Sequence, residues 1–131
     1  MYRLDLPIKV INKIKYSQSH DKEIHQQETV GTHTVLASFE TLTYVDLKGQ
    51  AVKIKWFKED QRVQISRMGN LIDLQMGKET TLHYLSDQGR LVMQVETLSC
   101  KIVPGKLKVG YRLKIDGKSL AKHEFSLIYG P

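Results

Sequence analysis

The sequence predicts an all-β protein: a closed or nearly closed antiparallel up-and-down β-barrel of about 8–10 strands. Three observations carry that expectation. From Ala51 to Tyr129 apolar and polar residues alternate with period 2, most regularly in Leu107, Val109, Tyr111, Leu113 and Ile115, with Lys106, Lys108, Gly110, Arg112 and Lys114 between them; one face is buried and the other is wet. The alternating runs are separated by short turns of the kind that join antiparallel neighbours. Nothing reads as a capped helix of three turns. Consecutive antiparallel strands with short connections lose their edges most simply by closing, which favours a barrel over a sandwich.

The first strand is expected over residues 6–16, where Leu6, Ile8, Val10, Asn12, Ile14 and Tyr16 alternate with more polar positions, and Pro7 stands near the start, where a missing N–H is tolerated. Ser17 to Glu23 is polar and reads as a loop. Ile24 to Thr34 resumes the β pattern, with Gly31 marking a bulge or a close approach. Phe39 to Val45 follows, and then turns punctuate regularly. Lys48-Gly49-Gln50 leads into Ala51 to Lys58, and Glu59-Asp60-Gln61 into Arg62 to Met68; Gly69-Asn70 precedes Leu71 to Met76, Gly77-Lys78-Glu79 precedes Thr80 to Ser86, and Asp87-Gln88-Gly89 precedes Arg90 to Val103. Pro104-Gly105 and Asp116-Gly117 are strong turn dipeptides, the second of the two-residue hairpin type, and the last strand runs from Lys118 to about Tyr129. Within 90–103 the apolar face changes phase, from Leu91, Met93, Val95 and Thr97 to Leu98, Cys100 and Ile102, which calls for a bulge or bend near Thr97.

The 131 residues suit a single domain spanning 1–131, long enough to bury roughly two-thirds of its unfolded surface without covalent staples. The lone Cys100 cannot form an internal disulfide, so packing must hold the fold, and a reducing cytoplasm is the expected compartment. The N-terminal residues carry no signal-like apolar core and no run approaches a membrane span, so neither secretion nor a membrane partner is expected. Net charge is +6, from 20 Lys and Arg against 14 Asp and Glu, which favours polyanions over basic partners. Most of these lysines fall on the polar alternation of strands, where a solvated face needs charge and lysine discourages edge pairing.

Motifs for chemistry are sparse. Gly77-Lys78-Glu79-Thr80 and Gly117-Lys118-Ser119 resemble the tail of a phosphate loop, but Ile72 and Arg112 stand where its first glycine belongs. His20, His25 and His33 with Glu23 and Glu28 match no metal site of defined geometry, so no metal and no cofactor is expected. No serine sits in a nucleophile elbow, and no catalytic residue is assigned. Cys100 reads as a small buried hydrophobe. The positions that stand out are polar residues on apolar faces: Arg67 continues Val63 and Ile65, Tyr111 continues Leu107 and Val109, and His123 precedes Phe125 and Leu127. A buried guanidinium needs a partner, which a barrel mouth, an internal carboxylate or an anionic ligand would each supply.

From Gly31 to Tyr129 the chain resembles the uncharacterised bacterial YwiB-like family, a domain of unknown function with a calycin-like β-barrel. The residues that carry the resemblance are Phe39-Glu40-Thr41-Leu42-Thr43-Tyr44; Val63, Ile65, Arg67 and Gly69; Tyr84, Ser86 and Gly89, followed by Leu91 and Thr97; Leu107, Val109, Tyr111 and Leu113; and the ending Phe125-Ser126-Leu127-Ile128-Tyr129. Leu82 and Ser86 replace threonines that the family tends to carry around the tyrosine. The resemblance implies a barrel similar to lipocalins and fatty-acid-binding proteins and supplies no catalytic residues.

The functional expectation is therefore a non-enzymatic calycin-like barrel that binds a small, partly apolar ligand, an anionic one included, with Arg67, Tyr111 and His123 as the ligand-binding residues. The alternative from another class is an interaction module whose basic outer face contacts RNA or an acidic protein. Trp56 and Phe57 form the only adjacent aromatic pair available for base stacking. A third option is an enzyme with His123 or His83 as general base. Oligomeric state is not legible.

Overall fold

A computed structural model describes residues Tyr2–Gly130. Ten strands follow one another: β1 (Tyr2–Tyr16), β2 (Lys22–Val35), β3 (Glu40–Val45), β4 (Ala51–Phe57), β5 (Arg62–Arg67), β6 (Asn70–Gln75), β7 (Glu79–Ser86), β8 (Gly89–Val103), β9 (Lys106–Ile115) and β10 (Lys118–Tyr129). All recorded pairings are antiparallel, in the order β6-β5-β4-β3-β2-β1-β10-β9-β8-β7. Each strand pairs with its sequence neighbours except across β6 and β7, and β1 also pairs with β10, so the chain's first and last strands lie side by side.

The barrel is nearly closed. Between β6 and β7 side chains take over from the backbone ladder: Thr80 Oγ1 donates to the Asp73 carbonyl at 2.5 Å, and the Leu85 N–H donates to Asn70 Oδ1 at 2.9 Å. These bonds satisfy backbone groups that an open edge would expose.

The period-2 pattern sets what lies inside. Leu42, Ile54, Trp56, Val63, Leu74, Val95, Leu107, Val109 and Leu127 are essentially inaccessible, and Ile8, Val10, Leu82, Met93 and Phe125 complete the core. Each such side chain stabilises the fold by roughly 1.5–3 kcal/mol relative to exposure. Two register shifts keep the inward rows aligned. The one between Thr97 and Ser99 falls where the apolar phase of β8 changes: Leu98 is the extra residue, and Cys100 and Ile102 pack inward beyond it. The second, between Ser119 and Ala121 in β10, has no phase signal in the sequence.

The structure departs from the sequence reading in local ways. β1 begins at Tyr2, not residue 6, so Pro7 lies within the strand. Its carbonyl accepts the Gly130 N–H at 3.2 Å, so its missing donor also faces β10, where the ladder begins only at Ile8 and Tyr129. The β5–β6 turn is Met68-Gly69, both at positive φ (53° and 78°), and Asn70 already belongs to β6; Asp116-Gly117 has the same handedness (50° and 78°). Gly31 is a close approach without a bulge. A Cβ there would lie 3.0 Å from Leu42 Cδ2, 3.1 Å from the Thr43 carbonyl oxygen and 3.2 Å from Ile8 Cδ1.

Candidate ligand cavity

The filled middle of the barrel separates two ends of different character. At one end Trp56, His33 and Tyr129 pack together, with ring centroids 4.8–5.8 Å apart, and Tyr2 meets His33 edge-on at 5.7 Å. His33 Nε2 lies 2.9 Å from Glu40 Oε1. This aromatic plug narrows that end of the barrel and leaves a smaller cavity of about 260 Å³ between its rings and Lys58, Ile102 and Pro104.

The other end opens into a cavity of about 510 Å³, within the range of small-molecule sites. Its floor and walls are mostly apolar, from Val10, Val52, Ile65, Ile72, Leu82 and Phe125, and Leu47, Met68, Tyr84 and Leu85 form an exposed apolar rim. Arg67, Tyr111 and His123, on β5, β9 and β10, all line this one cavity. Alternation places each of them inward, because each continues an apolar row of its strand.

Their environments differ. The Arg67 Nε donates to Asp46 Oδ2 at 2.5 Å, and Asp46 Oδ1 accepts the backbone N–H groups of Lys48 and Gln50, both at 2.9 Å. Burial alone would raise the Asp46 carboxyl; the Gln50 and Lys48 bonds and the Arg67 guanidinium outweigh it and hold it below the usual carboxylate range. Asp46 thus fixes the β3–β4 turn and neutralises Arg67 together. The terminal Nη groups of Arg67 make no hydrogen bond among the described residues, which leaves them as free donors. Tyr44, beside this pair, has its phenol pushed up to about 12 by burial and by the Asp46 charge, which the Arg67 charge partly opposes.

Tyr111 and His123 occupy opposed positions on β9 and β10, and their rings stack with centroids 4.8 Å apart and 4° between planes. Burial raises the Tyr111 phenol and lowers His123 to about 4, so the imidazole is neutral at physiological pH. His123 Nδ1 is buried with no hydrogen-bond partner, and so is Asn12 Oδ1 on the same cavity wall. Thr97 Oγ1, directly across from Tyr111 on β8, is a third. Unpaired buried polar atoms are uncommon enough to need a reason; Gln94 Oε1 on β8 is the fourth, and two of the four belong to residues that line the cavity.

Other candidates fall elsewhere. His25 lies 3.0 Å from Glu23, whereas His33 sits in the plug at the far end, so the β2 histidines do not converge. No group of three metal-ligating side chains gathers among the described residues. His83 is exposed and alternates with Leu82 and Tyr84, which line the cavity, so it faces away from it. Trp56 and Phe57 are split between faces: Trp56 is 1% exposed inside the barrel, and Phe57 packs outside against Phe39 and beneath Lys55 and Arg62. Cys100 packs against the core, and burial raises its thiol. Asp46, Tyr44 and Asn12 also line the cavity, and the sequence alone does not mark them as site residues. Asn12 did carry a signal, as a polar residue on the apolar row of β1.

Fold and cavity define a calycin-like barrel of ten antiparallel strands, plugged at one end and hollow at the other. Residues 8–127 match the family described as Domain of unknown function (DUF1934), and the chain belongs to that family. Its structure is similar to the crystal structure of the ywiB protein from Bacillus subtilis, with a TM-score of 0.75 and 17% sequence identity over 98% of this chain and 94% of that one. No curated protein matches the chain. At that identity the likeness carries the fold alone.

Proposed function

We propose that the barrel is a non-enzymatic binding protein for a small, partly apolar ligand that enters past Leu47, Met68 and Leu85 and lies in the cavity against Phe125, Leu82 and Ile72. The observation that carries this reading is the pair of unpaired buried atoms, His123 Nδ1 and Asn12 Oδ1, on the wall of an otherwise apolar hollow. Both atoms are closed to solvent as they stand, so a ligand with one or two hydrogen-bonding groups on an apolar body would reach them as the Asn12 and His123 side chains turn toward it, and an apolar body of that kind gains from every wall residue it covers. Because Asp46 already balances Arg67, the guanidinium offers its Nη donors as hydrogen bonds more than as a free charge, and the other cation of the lining, Lys48, is exposed. The favoured polar group is therefore uncharged, and an anion is the weaker choice.

Two tests address this. Native mass spectrometry of freshly purified protein, set against denaturing extraction, should reveal a bound mass that denaturation releases. In titrations with two dyes, uncharged phenylnaphthylamine should bind at least as tightly as anionic anilinonaphthalene sulfonate, and Leu82→Trp, which fills the hollow, should abolish both. An empty protein whose dye binding ignores Leu82→Trp would sink the proposal. Sulfonate binding that is much the tighter and is lost in Arg67→Met would replace the uncharged ligand with an anionic one.

A further inference from the structure

The outer face carries an arrangement that neither the fold nor the cavity requires. On antiparallel strands, directly opposed side chains lie about 5 Å apart, and like charges there destabilise the sheet. In this barrel Lys22 of β2 is opposed by Lys15 of β1, Lys15 by Lys122 of β10, and Lys122 by Arg112 of β9. Four cations thus form one unbroken row across four adjacent strands. Arg112 alone has a carboxylate partner among the described residues, Glu96 of β8 at 3.2 Å.

Three members of this row, Lys15, Lys122 and Arg112, line a groove of about 700 Å³ whose far wall is the β1–β2 turn, Tyr16 to His20. That wall is pinned in place. The Ser17 N–H donates to the Leu120 carbonyl at 3.0 Å, the Ser17 and Ser119 hydroxyls lie 2.7 Å apart, and the Asp21 N–H donates to Ser19 Oγ at 3.2 Å. The groove therefore combines Lys15, Lys122 and Arg112 with serine hydroxyls and two flat rings, Tyr16 and His20.

We propose that this groove binds the phosphate backbone of single-stranded nucleic acid, with the cations on the phosphates and Tyr16 and His20 beside the unpaired bases. Cations with hydroxyl donors suit phosphate oxygens, and sequence-tolerant single-strand sites pair such a track with flat rings for stacking. A polymer suits the surface better than a mononucleotide, because the positive face continues past the groove: Lys9, Lys13, Lys106 and Lys108 alternate outward on β1 and β9, and Lys101 opposes Lys108. Only Glu124, opposite Lys13, and Glu28, opposite Lys9, interrupt those rows.

Fluorescence anisotropy with labelled single-stranded RNA of about 12 nucleotides tests the proposal. Binding at about 50 mM salt should weaken as salt rises, with a log–log slope near −2 for three phosphates neutralised. Lys15→Glu with Lys122→Glu should lose roughly tenfold or more in affinity and flatten the slope to about −0.7. Lys53→Glu with Lys78→Glu, the same change of net charge on exposed residues outside the groove, should change affinity far less. Neither double variant should melt below the parent, and the first should melt at or above it because two of its three like-charge contacts become opposite-charge pairs; if the first fails to fold, Lys15→Gln with Lys122→Gln replaces it. No binding at low salt, or an equal loss in both pairs, overturns the proposal. Equal competition by duplex RNA, inorganic polyphosphate or polyglutamate also overturns it, because the groove would then read charge without reading a single strand. Dye binding in the internal cavity should be the same in all variants, which separates failure here from failure of the cavity reading.

Discussion

The two ends of the barrel are built from similar parts and used in opposite ways. Each has a histidine stacked on a large aromatic ring: His33 on Trp56 at 5.8 Å, and His123 on Tyr111 at 4.8 Å. Each also has an acid that reaches a basic side chain, Glu40 with His33 and Asp46 with Arg67. At the plugged end the acid meets the histidine itself, the rings leave about half the volume that is open at the other end (about 260 against about 510 Å³), and none of the unpaired buried atoms among the described residues lies there. At the hollow end the acid is tied up with Arg67 and a turn, so His123 is left without a partner beside an empty volume. The difference teaches that the acid and the histidine satisfy each other at one end and not at the other, which is the contrast the proposed ligand would resolve.

The largest expected effect breaks the plug. Trp56→Ala removes a side chain that is 1% exposed and supports both His33 and Tyr129, so unfolding free energy should fall by about 3–5 kcal/mol. A urea midpoint measured beside that of Phe125→Ala locates the stability. If Trp56→Ala costs less than Phe125→Ala, whose site already borders a hollow, the plug is not what holds that end.

A smaller effect comes from acid. In the unfolded chain a histidine protonates near 6.5, but folded His123 does so only at about 4, because burial penalises its charged form. Between those values the unfolded state binds more protons, so stability falls as pH drops from about 6.5 to about 4. The slope from this one group is on the order of 1 kcal/mol per pH unit. Asp46 and Asp73, whose carboxyls lie below their usual range, lose their contributions only at lower pH. Urea midpoints at about pH 7.5 and about pH 5 should therefore differ in the parent and converge in His123→Phe; an unchanged difference would assign the acid sensitivity elsewhere.

Much of this was legible in the sequence. The turn dipeptides, the period-2 rows and the phase change at Thr97 are local signals, and the ten strands and the β8 bulge follow from them. Arg67, Tyr111 and His123 were visible as polar members of apolar rows, and the sheet carries all three to one cavity. Asp46 could not be found that way, because it lies in a turn, outside any alternating row, and meets Arg67 only through the β4–β5 register. The plug was hidden for a similar reason: Trp56 reads as one half of an aromatic pair until pairing with β3 and β5 sets it opposite Glu40 and Val63. The cationic row is the clearest case. Lys15 and Lys22 face each other within one hairpin and Arg112 and Lys122 within another, and only the first-to-last strand pairing joins the two pairs into a row.

The sharpest test of the two-end contrast applies one substitution to both. His33→Phe keeps an aromatic ring against Trp56 but strips Glu40 of its partner within a part-buried pair, and should lower stability by about 1–2 kcal/mol. His123→Phe keeps the stack on Tyr111 and removes an unpaired Nδ1, so at about pH 7.5 it should leave stability equal or raise it by about 1 kcal/mol. The signs are set by whether the protein already satisfies the imidazole. In the same His123→Phe protein, dye binding in the cavity should weaken if the imidazole meets the ligand, whereas His33→Phe should leave it alone. If both variants shift stability in one direction, the ends are equally self-sufficient, and the case for a missing occupant at the hollow end fails.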